Sequence, residues 1–358
     1  MTDMFDFAAM GLPINLALFA AGAAAVWFAG VRITRYANVI SDKTGMGQAL
    51  VGLLLLGGVT SLPELAVAVT SSVSGDDSLA VNSILGGIAM QVAILAVADA
   101  LIGRRALTSI IPDSVVILQG GLKILLLSIV AAAIVVGDVP ILFVGLWMWL
   151  LAIGTGISMW VLSRAQGDKP WVPGDSEISK EKEEKQAKKE AGKDKDKSLN
   201  WAVTRAAIAG VVIVVAGYVL SRSADAIAEA TGLGQSFVGA VFVAIATSLP
   251  EVSTVFSAMR AGLYTMAMSD IFGTNLFDTS FLFVIDITGG SDAVINSAGR
   301  FEAFAALIAI SVTAIFLVGL AERRNRTVFR MGYDSLAVMA TYLAGLIILY
   351  FLRDTGGG

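Results

Sequence analysis

The sequence predicts an all-α polytopic membrane protein of ten transmembrane helices, arranged as two inverted five-helix repeats. Three observations predict it. Of 358 residues, 56% are hydrophobic and only 15% charged, whereas a soluble domain carries about a quarter charged residues. Several apolar stretches exceed the roughly 18 to 20 residues needed to cross a bilayer. Finally, Thr-Ser-Leu-Pro-Glu occurs twice, at 60–64 and at 247–251, each time inside an apolar stretch.

The expected spans are 13–31, 47–73, 78–102, 114–136, 140–163, 200–220, 235–260, 263–288, 301–320 and 332–352. Between the fifth and sixth, SEISKEKEEKQAKKEAGKDKDKS (Ser176 to Ser198) is charged and poor in apolar residues. Such a segment cannot bury enough surface to fold and reads as a solvated tether. The chain therefore divides into a first repeat at 1–163, a charged cytoplasmic linker at 164–199 and a second repeat at 200–358. The start, MTDMFDFAAMG, lacks the basic region of a secretory signal, so the first apolar run is expected to be retained.

Cytoplasmic loops are enriched in Lys and Arg. Arg32, Arg35, Lys43, Arg104, Arg105, the linker lysines, Arg260, Arg323, Arg324, Arg326 and Arg330 all fall on one side; Arg222, Arg300 and Arg353 are the exceptions. The opposite loops, SGDD, GDVP and GGSDAVINSAGR, are acidic or small. Both termini are then extracytoplasmic. A prokaryotic inner membrane is the expected location, and the lipid bilayer the expected surroundings.

Composition also excludes. There is no cysteine and no histidine, which closes thiol chemistry, the usual zinc sites and the usual near-neutral proton carrier. No serine–base pair stands out, so an intramembrane enzyme is disfavoured and no cofactor is expected. Basic residues do not form an aromatic-studded face, so no nucleic-acid partner is expected. The sequence names no protein partner.

Thr247 lies 187 positions beyond Thr60, and the same shift superposes more than the pentapeptide. Gln48, Val51 and Gly52 meet Gln235, Val238 and Gly239; Gly75, Gly86 and Asp99 meet Gly262, Gly273 and Asp286. Five spans separate the copies, and an odd number inserts them upside down. Inverted repeats with interrupted helices at matching places point to a transporter with a site near the bilayer midplane.

The repeated motif has a physical reason. Proline lacks an N–H and leaves carbonyls one turn earlier without a helical partner, here near Val59–Thr60 and Ala246–Thr247. In lipid those groups need another partner, and a cation serves. The Thr and Ser hydroxyls add oxygen; Glu64 and Glu251 add charge. Gln91 and Asp278 each lie 27 residues beyond their glutamate, at similar depth. Hard cations bind such oxygens without nitrogen or sulfur, calcium taking six to eight.

Other residues are expected to be structural. Asp99 and Asp286 sit near helix ends, where interfacial solvation suffices. Lys123 is expected to snorkel to the cytoplasmic surface. Asp270 lines an inward path or caps a helix. Trp147, Trp149 and Trp160 read as packing or interface anchors, and Met266 and Met268 as packing.

At these residues the chain resembles the cation/calcium exchanger superfamily, whose repeat reads T-S-x-P-E/D followed by G-N-x-x-G-S-N-x-F-N. The second repeat matches with TSLPEVSTVFSAMRAG and SDIFGTNLFD. The resemblance implies that Thr247, Ser248, Glu251, Asn275 and Asp278 are cation ligands. The first repeat, TSLPELAVAVTSSVSG and NSILGGIAMQ, departs further: Thr60, Ser61 and Glu64 carry over, while Ser83, Gly87 and Ile88 replace family residues and Gln91 replaces the final Asn. The mechanism it implies is alternating-access antiport, with Ca2+ and Na+ competing for overlapping sites while long, tilted first and sixth spans slide across a fixed core. Proton-coupled Ca2+ exchange, or Mg2+ or K+ exchange, is the alternative within the superfamily. A passive cation channel is the alternative outside it.

Overall fold

The computed structural model describes residues 6–44, 60–101, 105–111, 115–165, 197–261, 264–289 and 293–352. Most of the charged tether, Val59 and the first part of the second expected span lie outside the described residues. The helices are α1 (Leu12–Thr44), α2 (Leu62–Val73), α3 (Asp77–Asp99), α4 (Val115–Val136), α5 (Leu146–Ala165), α6 (Leu199–Thr231), α7 (Gln235–Thr247), α8 (Leu249–Ala261), α9 (Tyr264–Thr279), α10 (Phe281–Thr288), α11 (Arg300–Glu322) and α12 (Tyr333–Leu352). Two small antiparallel hairpins precede α5 and α12: β1 (Pro140–Ile141) with β2 (Val144–Gly145), and β3 (Thr327–Val328) with β4 (Met331–Gly332). Among the described residues eight helices are long and apolar enough to cross a membrane, and the bent pair α7–α8 makes a ninth. The protein is an all-helical polytopic membrane protein.

The 187-position shift reproduces element boundaries. It carries α1 onto α6, α5 onto α12, and each hairpin onto the other, residue for residue. Even the turns agree: Leu142 and Phe143 have φ of 53° and 68°, Phe329 and Arg330 50° and 68°. Positive φ at both central residues is the hairpin turn whose twist suits short antiparallel strands. The expected fifth span had opened at 140. It opens instead with this hairpin, because Pro140 has no N–H for a continuing helix and Gly137 turns the chain at φ 82°.

The first and sixth helices run past the expected ends at 31 and 220, each to 33 residues. That is about 50 Å at 1.5 Å per residue, against a hydrocarbon core of about 30 Å, so these two helices are tilted or extend beyond it. The expected spans followed the apolar runs, but a helix satisfies its own backbone and continues wherever its polar end reaches water. The pair packs together: Gly22 faces Leu220 and the Ala216 carbonyl, and Val26, Ala216, Leu220 and Ala224 share one apolar cluster. Tyr36 meets Trp201 edge-on with ring centroids 5.3 Å apart.

The core is built on α3, which is buried along almost all of its length. A helix apolar on every side belongs in a core. Its close crossing with α7 depends on two glycines. A Cβ on Gly86 would stand 2.2 Å from the Ala240 carbonyl oxygen, and one on Gly239 2.9 Å from that of Leu79.

Asp99 and Asp286 are structural, as expected, but interfacial water is not what satisfies them. Both are buried and hold backbone amides. Asp99 accepts from Leu107 (2.8 Å) and Gly332 (2.6 Å), and Asp286 from Val294 and Gly145 (2.6 Å each). Each carboxylate thus pins the hairpin of the opposite repeat, and the 187-position shift relates all four bonds.

Candidate cation site

The second Thr-Ser-Leu-Pro-Glu motif forms a break, and the first lies at the start of a helix. In the second repeat α7 contains a π turn at Gly239–Val243, then the chain bends by 46° between Thr247 and Leu249. Pro250 has no N–H to offer the Ala246 carbonyl, which accounts for a break at that place. In the first repeat α2 starts after Ser61 with Pro63 in its first turn. Both motifs therefore set a glutamate in the opening turn of a helix, Glu64 on α2 and Glu251 on α8. Positive peptide-dipole ends favour negative charge there.

All nine expected ligands are buried: Thr60, Ser61, Glu64, Gln91, Thr247, Ser248, Glu251, Asn275 and Asp278. Several meet across the repeats. Gln91 Nε2 donates to Ser248 Oγ at 3.1 Å, and Ser248 Oγ donates to Glu64 Oε1 at 3.1 Å. The symmetry-related set is Asp278, Ser61 and Glu251. Ser61 lies beside Asp278, yet neither side chain reaches hydrogen-bond geometry. Asn275 Nδ2 reaches the carbonyl of Ile88 at 3.5 Å. Ile88 is Asn275's own counterpart in the other repeat, so this contact marks the pseudo-two-fold axis. Thr247 turns back to the Val243 carbonyl at 3.1 Å, inside the π turn.

Glu64, Glu251 and Asp278 lie within one another's electrostatic reach. Glu64 Oε2, both carboxylate oxygens of Glu251 and of Asp278, Gln91 Oε1, Asn275 Oδ1 and Ser61 Oγ are buried without a hydrogen-bond partner among the described residues. Buried polar atoms are nearly always paired, and buried carboxylates in a membrane are costly. A grouping made only of unsatisfied oxygens from both repeats fits a hard cation, and nothing in it fits a soft one. Among the described residues no three acidic side chains stand as a ready-made carboxylate metal centre. Like charges repel strongly at low dielectric, so a mixed set of carboxylate, amide and hydroxyl oxygens is the physically reasonable arrangement.

Lys123 departs from expectation. It does not snorkel: it is fully buried, with Nζ 5.5 Å from the centroid of the Phe272 ring on α9. Lys123 is the ninth residue of α4, about 12 Å along the helix from its start. Gly120, one turn earlier, lets α4 close on Phe272 and Leu317, so the side chain is turned into the bundle. Asp270 is half-buried and accepts from Thr254 Oγ1 at 2.5 Å, within electrostatic reach of Glu251 and Asp278. The tryptophans behave as anchors: Trp149 Nε1 donates to the Ile141 carbonyl, and Trp160 is stacked by Arg164. Met268 is core packing; the side chain of Met266 lies outside the described residues.

A bent helix pair beside buried, unsatisfied oxygens is the arrangement of a membrane ion transporter rather than an enzyme. The chain belongs to the sodium/calcium exchanger protein family, whose profile matches residues 14–163 and 201–352. It is a member of the cation/calcium exchanger superfamily. It is 24% identical over 270 residues to the inner membrane protein YrbG of Escherichia coli, covering 73% of this chain and 76% of that one. It is also 24% identical over 142 residues to the sodium/calcium exchanger MaX1 of Methanosarcina acetivorans, covering 39% and 38%. Two solved structures share the fold. The sodium–calcium exchanger NCX_Mj aligns over 94% of this chain and 99% of its own, with a TM-score of 0.59 at 15% identity. The H+/Ca2+ exchanger CAX aligns over 96% and 87%, with a TM-score of 0.67 at 11% identity.

Proposed function

We propose that this cation/calcium exchanger moves Ca2+ against Na+ by alternating access at the buried oxygen site. In this reading Thr60, Ser61, Glu64, Gln91, Thr247, Ser248, Glu251, Asn275 and Asp278 are the cation ligands. The observation that carries it is the set of unsatisfied buried oxygens drawn from both repeats. Carboxylates confined together in low dielectric stay ionised only while cations balance them. One occupant therefore leaves as another enters, which is the physical basis of coupled exchange. The tilted pair α1–α6 packs as a unit beside the broken helices and supplies the element that slides. Both termini face the extracytoplasmic side of a prokaryotic inner membrane, the 1–163 and 200–358 segments are the inverted repeats, and 164–199 is a cytoplasmic linker.

The choice of Na+ rests on the residues that carry the resemblance and on the relatives whose names include sodium. The fold itself is shared with a proton-coupled exchanger as well. Purified protein in proteoliposomes separates the two. Calcium uptake driven by an outward sodium gradient supports sodium coupling. Uptake driven only by a pH gradient rejects it in favour of protons, and conductance far above carrier turnover rejects exchange in favour of a channel.

A further inference from the structure

The Thr231 end of α6 is fastened to its neighbours by polar side chains. Ser221 Oγ lies 2.7 Å from Ser71 Oγ on α2, and both residues are buried. Gln235 Nε2, at the head of α7, donates to Asp225 Oδ1 on α6 at 2.6 Å and to Asp76 Oδ1, just ahead of α3, at 2.8 Å. Arg222 Nη1 stands 3.9 Å from Asp76 Oδ2. Beneath these contacts Gly217 closes on α2 so tightly that a Cβ there would stand 2.5 Å from the Ala66 Cβ. Val67, next to Ala66, is fully buried and shares one apolar cluster with Leu220 of α6 and Val238 of α7.

Repeat symmetry isolates the feature. Under the 187-position shift Asp225 corresponds to Asn38 and Asp76 to Leu263. The two carboxylates that receive the Gln235 amide therefore have no acidic counterpart in the other repeat. Burial departs from symmetry in the same sense. Val67, on the turn after Glu64, is sealed, whereas its counterpart Thr254, on the turn after Glu251, is half-buried.

We infer that Ser71, Asp76, Ser221, Arg222, Asp225 and Gln235 form a one-sided latch, which holds the Thr231 end of α6 shut against α2 and α7 and must part before cations reach the site from that end. Hydrogen bonds across a packed seam favour the closed arrangement, and deleting them shifts the population toward the open one. The latch governs access, and none of its residues is a cation ligand. The inference rests on the reading of the buried oxygens as an alternating-access exchange site.

The chain has no cysteine, so an introduced thiol is a clean reporter. Val67→Cys in the purified full-length protein reads opening of the seam through its rate of modification by a charged maleimide. That rate should rise about tenfold or more when Ser221→Ala and Asp225→Ala are combined, or with Gln235→Ala alone, since each deletes a hydrogen bond to a carboxylate. Gln235→Ala leaves α6 untouched and carries the test if the combined variant does not fold. Leu127→Cys, buried in a separate core cluster on α4, should keep its original rate. An unchanged rate at Val67→Cys, or a parallel rise at Leu127→Cys that marks general loosening, would overturn the inference. A second arm locks the seam. Ser71→Cys with Ser221→Cys sets two thiols where the hydroxyl oxygens are 2.7 Å apart, within reach of a disulfide. Oxidation should abolish calcium exchange in proteoliposomes and a reductant should restore it; exchange that continues through the cross-linked protein would overturn the latch. The expected labelling pattern in a protein whose wild type exchanges no cation would uphold the latch and reject the exchange reading instead.

Discussion

Ser248 Oγ lies 3.1 Å from Glu64 Oε1, joining the break of the second repeat to the glutamate of the first across 184 positions of sequence. The same hydroxyl accepts from Gln91, so one small side chain orients two expected ligands. Hydrogen bonds to charged groups contribute about 1.5–3 kcal/mol. Ser248→Ala should therefore weaken calcium binding by about tenfold to a hundredfold, read by equilibrium binding on purified protein. Unchanged affinity would show that this bond does not position Glu64.

The three acids make distinct contributions. Glu64→Gln and Glu251→Gln should each abolish exchange while the protein still inserts and purifies as a folded species. Asp278→Asn, which restores an amide where its counterpart is Gln91, should shift ion preference or coupling rather than unfold the chain. Ion-competition profiles in proteoliposomes distinguish these outcomes, and full activity in either glutamine variant would exclude that residue as an essential ligand.

The crossing of α3 and α7 should be intolerant of a single methyl group. Gly86→Ala places a Cβ into the backbone of Ala240, and overpacking of this kind costs about 1–3 kcal/mol. Gly121→Ala, where nothing lies within 4 Å, is the matched control and should be neutral or slightly stabilising. Thermal unfolding of the two variants in detergent reads the difference.

Asp286→Ala should release the first hairpin from the segment opening at Val294, because the carboxylate accepts from Gly145 and from Val294 at 2.6 Å each. The loss should be about 3 kcal/mol or more, given two charge-assisted bonds. Asp99→Ala should do the same to the hairpin of the second repeat. Melting temperatures that fall for one variant and not the other would break the symmetry argument.

Asp76 precedes α3 and ties it to α6 and α7. Its Oδ1 accepts from Gln235 Nε2 at 2.8 Å, and its Oδ2 lies 3.9 Å from Arg222 Nη1. Partial burial, and then the nearby Asp225, push its carboxyl up to about 6. The folded chain thus holds a proton there that the unfolded chain has released, so the associated stability is present at low pH and lost as pH rises through about 6. The melting temperature of wild type relative to Asp76→Asn should accordingly fall from about pH 4 to about pH 7. A difference that stays constant across that range would contradict the environment assigned to Asp76.

Much of this was legible because lipid imposes strict rules. Apolar runs of spanning length marked most helices, and a duplicated pentapeptide with proline located the break of the second repeat and both glutamates. The 187-position shift drawn from a few side chains also relates element boundaries and turn angles. What escaped depended on rotation and packing. Lys123 was expected at the surface because span position alone does not reveal which way a side chain turns; the adjacent Gly120, which admits close helix contact, and Ile310 at its counterpart position were the available signals. The staples at Asp99 and Asp286 escaped because their partners are backbone amides, one of each pair in a hairpin that reads as a helix start. The resemblance implies long first and sixth spans, while the apolar runs alone mark only the parts of α1 and α6 at 13–31 and 200–220.

A crystal structure with strontium or calcium, its ions located by anomalous scattering, addresses the cation cage most directly. A single peak bounded by oxygens of Glu64, Glu251 and Asp278, at about 2.3–2.6 Å for calcium, with ligands from both repeats, is the predicted result. Cations bound only elsewhere, with those carboxylates packed against hydrocarbon or facing lipid, would contradict it.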